Sequence, residues 1–209
     1  MVEYLRTALR AGSFLAAILC AGAVSAAATT TTTATAAAPP VHYTLDAPRS
    51  LLRFSFVQAG ATNTGHFNKF TADVSFAADN PAASKIDVMV DVTSLDTGDK
   101  ERDDTLKGAD LFNIAKFHDA RFTTTRITAA GPSRFDALGK LTIRNVTKEL
   151  RVPLTFQTKI EQGKNMGYMS GRVTIKRLDY GVGQGEWKST EWVNDDVTVT
   201  FSLRLVPAT

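Results

Sequence analysis

The chain is predicted to be all-β, built from antiparallel strands that curl until their apolar faces meet as a barrel or a sandwich. Three observations predict this. Apolar and polar residues alternate along most of the chain, only one stretch reads as a good helix, and nothing else is available to cover an open sheet. Closure also removes the unpaired edges that an open sheet would expose.

The first 26 residues are expected to be an export signal. Arg6 and Arg10 form a positive start, Phe14 to Val24 is an apolar run short for a bilayer span, and Val24-Ser25-Ala26 offers small residues for cleavage. The Leu19 before Cys20 is unsuited to lipoprotein processing, so the single cysteine is expected to leave with the signal. An exported protein without a disulfide relies on its core and its hydrogen-bonded ladders. Residues 27–40, "AATTTTTATAAAPP", have almost nothing to bury and read as a flexible, disordered linker. The folded domain is expected over 41–207, long enough for a substantial core.

Within it, Leu52, Phe54 and Phe56 alternate with Arg53 and Ser55, and Ala72, Val74 and Phe76 with Asp73 and Ser75. The same period runs through Ile86, Val88, Val90 and Val92, then Leu150, Val152, Leu154 and Phe156, then Val173 and Ile175. It ends with Val197, Val199, Phe201, Leu203 and Leu205. Each set lies on one face of its strand. Weaker strands are read at 121–128 and 135–144, with turns at 129–133 and 161–165. An outer-membrane barrel would show the same period with faces inverted, but charges stand mid-strand on the polar face and the aromatics form no girdles. No stable membrane insertion is expected.

Asp96, Asp99, Glu101, Asp103 and Asp104 crowd one short stretch. As a calcium loop it fails, because Asp104 stands where glycine is needed and Asp110 where glutamate is needed, counting from Asp99. A solvated helix over 100–107 accounts for it, with Asp99 at the N-terminal end, Lys107 at the other, and Leu106, Leu111 and Phe112 as anchors. The histidines (His42, His66, His118) have no ligand spacing, and nucleophile-elbow, P-loop and dinucleotide motifs are absent. "GVGQGEW" at 181–187 reads as a mobile glycine loop. No metal, catalytic residue or required cofactor is indicated. Without Glu3, Arg6 and Arg10 the chain carries 22 basic and 20 acidic residues, scattered, which offers nucleic acid nothing to bind.

The order and spacing of "YTLDAPRSLLRFSF", Gly65-x-Phe67, "VDVTSLDT", "RDDTLKGADLF", "ARFTTTRI", "GKLTIRNVTKEL", "VPLTF", "IKRLDYGVG" and "VNDDVTVTFSL" resemble the YceI-like family of exported, lipocalin-like barrels. The resemblance implies an extended eight-stranded antiparallel barrel with one short helix between strands and a polyisoprenoid or similar apolar chain inside. It also implies homodimers in many members, for which this sequence has no interface signal. Where the family commonly has histidines, this chain has Gln58 and Thr105, so no metal or proton role attached to them carries over. Gln58 offers a head group neutral donors and acceptors only. Arg102, Asp103, Arg177 and Asp179 are expected to fix helix and loop through charge-assisted bonds.

The expected activity is that of a periplasmic or secreted protein that sequesters or carries a quinone- or polyprenyl-type isoprenoid lipid. Rivals are a fatty-acid or lipid-amide binder, and an enzyme acting on such a lipid through carboxylates at the mouth. Inward candidates for ligand contact are Phe54, Phe56, Val74, Phe76, Val88, Val90, Leu141, Ile143, Leu154, Phe156, Val173, Ile175, Val199 and Phe201, joined by Gln58 and Phe67. Phe112, Phe117, Trp187 and Trp192 fall near loops, where aromatics can guard an entrance.

Overall fold

Alternation becomes sheet where it was read, except at Val92, which opens a 3-10 turn. The structure, a computed structural model, describes residues 38–208; the expected signal over 1–26 and all but the last three residues of the 27–40 segment lie outside it. Strands are β1 (Val41–Leu45), β2 (Leu51–Gln58), β3 (Ala61–Phe67), β4 (Phe70–Phe76), β5 (Lys85–Asp91) and β6 (Leu95–Asp96). After helix α1 (Lys100–Lys107) come β7 (Asp119–Gly131), β8 (Arg134–Ile143), β9 (Val146–Glu161), β10 (Lys164–Lys176) and β11 (Val193–Pro207).

Eight strands close in the order β1-β4-β5-β7-β8-β9-β10-β11 and back to β1, every pair antiparallel. The remaining three extend members of that ring past a kink. β2 continues β1 beyond the 3-10 turn Ala47–Arg49, β3 leads into β4 across Asn68 and Lys69, and β6 continues β5 beyond the 3-10 turn Val92–Ser94. The barrel is thus an up-and-down meander of eight long strands, three of them bent. Hairpins are tight: Arg144 and Asn145 take φ of 50° and 62°, the mirror-image turn whose twist suits a two-residue connection.

Past the Asp91–Asp119 pair, β5 and β7 part company. β6 follows β3, and residues 97–118 with α1 fill the split. The helix starts where the Asp99 carboxylate accepts from Arg102 N at 3.1 Å, and Asp103 Oδ1 accepts from Thr97 N at 2.9 Å and from its hydroxyl at 2.7 Å. The acidic stretch therefore caps and anchors a helix. Among the described residues no cluster of His, Cys, Asp or Glu has the arrangement to hold a metal ion.

The interior differs from end to end. Opposite the split, Tyr43, Val74, Phe76, Ile127, Phe135 and Phe156 form a solid plug, with the Phe76 ring 5.0 Å from Phe135 and 4.2 Å from Phe156. Val74, Phe76 and Phe156 were expected in contact with a ligand. They are at most 5 % exposed and fill the closed end instead, because alternation gives a residue's face but not its depth.

Candidate functional site

Two adjoining chambers lie in the rest of the barrel. The inner one, about 180 Å³, is walled by Phe67, Val88, Val90, Leu141, Ile143, Leu154, Val173, Ile175, Val199 and Phe201 among others. Its one charged lining residue, Arg121, turns its guanidinium to Asp87 (Nη2 to Oδ2 2.6 Å), which leaves the chamber apolar. That hydrogen bond holds the Asp87 carboxyl below the usual carboxylate range.

The outer chamber, about 340 Å³, lies between the split end of the barrel and α1. Phe56, Leu106, Trp187 and Val193 give it apolar walls, and Gln58, Asp99, Glu101, Arg102 and Thr105 a polar side. Phe54, Phe112 and Val197 line both chambers, so the two meet there.

Two arginines hold the rim. Arg177, 4 % exposed, donates to the carbonyls of Val182 (3.0 Å), Trp187 (2.7 Å), Ser189 (3.2 Å), Val193 (2.8 Å) and Asn194 (3.0 Å). Burial pushes its pKa down, yet the guanidinium has enough donors for all five acceptors. Arg144 donates to Leu111 O at 2.5 Å and to the Gly181 carbonyl, while Gly183 N and Gln184 N donate to Asp110 O at 2.9 and 2.7 Å. The glycine loop read as mobile is in fact tied to the α1 segment at several points.

Of the other expected entrance residues, Phe112 and Trp187 line the chambers. Phe117 instead lies beneath the Arg144 guanidinium, 5.6 Å from ring centre to Cζ, and Trp192 is 70 % exposed on the outside. Of the expected fixing charges, Asp103 secures the start of the helix, Asp179 pairs with Lys148 at 2.8 Å, and Arg177 secures the loop through carbonyls.

Leu52, Ile86, Val92, Leu150, Val152, Val197 and Leu203 also line the inner chamber; all lay on alternations already legible, without a sign of how far along the barrel they sit. Ala120, Phe122 and Met169 were missed because threonines at 123–125 and glycines at 167 and 171 blur the period.

A family model described as the YceI-like domain matches residues 43–205. The chain belongs to the YceI-like family. Among relatives, a UPF0312 protein of Vibrio vulnificus (strain YJ016) is 34 % identical over 144 residues, 68 % of this chain and 72 % of that one. One from Shewanella sp. (strain ANA-3) is 33 % identical over 147 residues, with the same two shares, 68 % and 72 %. Among solved structures, the barrel is similar to that of Burkholderia cenocepacia BcnA, at 32 % identity and a TM-score of 0.73, covering 79 % of this chain and 99 % of that one. It also shares its fold with a polyisoprenoid binding domain from Saccharophagus degradans, at 19 % identity and a TM-score of 0.65, covering 80 % and 99 %. YceI-like architecture thus extends through both chambers of this chain.

Proposed function

We propose that this YceI-like protein is an exported carrier or sequestering protein for a long-chain isoprenoid lipid of quinone or polyprenyl type. The observation that carries the reading is the sequence of environments along one barrel: a wholly apolar inner chamber adjoining an outer one with a polar side. The tail belongs in the first and the head group in the second. Each five-carbon unit taken from water contributes about 4 kcal/mol gross, at roughly 0.8 kcal/mol per methylene-sized group. Ordering the chain and losing its free motion offset a large part of that sum.

The head group is read as uncharged. Gln58 and Thr105 present neutral groups, Arg177 spends its donors on five carbonyls, and Arg102 pairs with Asp99 at 3.4 Å, which leaves the Glu101 carboxylate to oppose an anion. The same charge weighs against a fatty-acid carboxylate. The enzyme alternative loses a reactive group because Asp99 is occupied in capping α1. The name of the Saccharophagus degradans domain, a polyisoprenoid binding domain, supports the choice of ligand class.

The deciding experiment is organic extraction and mass spectrometry of the protein purified from its exported compartment. A prenyl lipid in stoichiometric amount is expected. Protein that carries no apolar molecule and takes up no prenyl alcohol in titration would overturn the reading.

A further inference from the structure

Three phenylalanines of the inner chamber lie over glycines of a neighbouring strand, and these pairs differ in what fixes them. A Cβ at Gly171 would lie 2.5 Å from the Phe201 ring but also 2.6 Å from the Pro153 carbonyl oxygen. One at Gly139 would lie 2.7 Å from the Phe122 ring and 2.6 Å from the Thr123 carbonyl oxygen. Backbone blocks both positions, and a larger residue there must deform the sheet.

Gly65 is different. Its nearest neighbours are side chains alone: the Phe54 ring, with Cε1 at 2.8 Å, and Thr97 Cγ2 at 2.9 Å. Phe54 and Gly65 are direct cross-strand partners, so the absent Cβ is what lets the ring fold against β3. Phe67 flanks the ring at 5.2 Å and Phe56 at 6.2 Å. The ring also stands where the chambers meet, as one of the three residues lining both.

We propose that the Phe54–Gly65 pair is the neck of the binding site, setting whether a hydrocarbon chain passes from the outer chamber to the inner one. It rests on the lipid-carrier reading for its ligand, though not for its geometry. With only hydrogen at residue 65 the ring lies on the wall. A methyl group there drives it off β3 toward Val197 and Phe112 and closes the passage. The inner chamber, about 180 Å³, receives the end of one chain, so the ligand class is a single-tailed lipid that enters tail first.

The test compares geraniol, short enough for the outer chamber, with geranylgeraniol by calorimetry. Gly65→Ala is expected to weaken geranylgeraniol at least about tenfold, equivalent to roughly 1.4 kcal/mol, and to leave geraniol within about twofold. Adding Phe54→Leu to Gly65→Ala should restore the long probe. Phe54→Trp, which keeps Gly65, should reproduce the loss if Gly65→Ala fails to fold. NMR contacts from the Phe54 ring should move from residue 65 to Val197 and Phe112. A folded Gly65→Ala protein with the ring in place, or with equal losses for both probes, overturns the neck. If the wild-type protein binds neither probe, the carrier reading fails and the neck falls with it, whereas wild-type binding of both with no selective loss in Gly65→Ala overturns the neck alone.

Discussion

Arg177 donates to the carbonyl of Trp187 at 2.7 Å, so a buried cation on the β10 side positions an aromatic wall of the outer chamber. Four further carbonyls share the same guanidinium. Replacing Arg177 by Ala is expected to cost about 3 kcal/mol or more, since several part-buried acceptors lose their donor together. Lys should not rescue it, because an ammonium has three donors and no planar fork. Denaturant unfolding of the three proteins, with proteolysis within 181–192 as a local probe, checks this.

Asp99 starts α1, and its loss should loosen the helix bordering the outer chamber. Asp99→Ala is expected to lower stability by about 1 kcal/mol, whereas Asp99→Asn, an equally good cap, should cost a few tenths. Thermal melts distinguish the two, and equal effects would remove the cap from the account.

Val90 faces the inner chamber and Met89, its neighbour, faces out at 41 % exposure. A folded Val90→Asp protein should lose prenyl-lipid binding beyond about tenfold, because an unpaired charge in an apolar chamber is costly. Met89→Asp should bind as the wild type does and stay within about 0.5 kcal/mol in stability. Unchanged binding by Val90→Asp would reassign the inner face.

Phe76 sits in the plug and Val88 beside empty space. Phe76→Ala should cost about 3–5 kcal/mol, as for other large core truncations. Val88→Ala should cost nearer 1 kcal/mol, since part of its surface has no packing partners to lose. Urea titrations that ranked the pair the other way would contradict the division between plug and chamber.

Stability should fall in acid through the corner where β1 bends into β2. Arg204 pairs there with Asp46 and, at 2.5 Å, with Glu161, which also accepts from the Tyr168 hydroxyl. The Arg204 hydrogen bond, then that from Tyr168, holds the Glu161 carboxyl below its usual value. A carboxyl lowered in the folded state adds stability above its unfolded pKa and loses that contribution as pH falls through the folded one. Melting temperature is therefore expected to hold from neutral pH to about 5 and to drop below about 4, with Asp87 and Asp136 contributing in the same direction. Glu161→Gln should make the acid slope shallower; an unchanged slope would remove this corner from the acid response.

Period-two alternation was enough for the sequence by itself to determine the all-β class, charges in mid-strand told the polar face from the inward one, and the acidic stretch gave the one α-helix of the described residues. Local chemistry determined the helix bounds as well, because Asp99 and Lys107 act on their own turns. What only the tertiary structure decided was depth and partnership. Val74 and Val88 have the same pattern, yet one is packed in the plug and the other lines the lumen. Arg177 reads as fixing the loop through charge-assisted bonds, and it does so, but that its acceptors are five carbonyls was decided by the fold that brings them together. The physical reason is that face follows from the pleat of one strand, whereas position along the barrel and the company a ring or guanidinium keeps depend on the register of several strands at once.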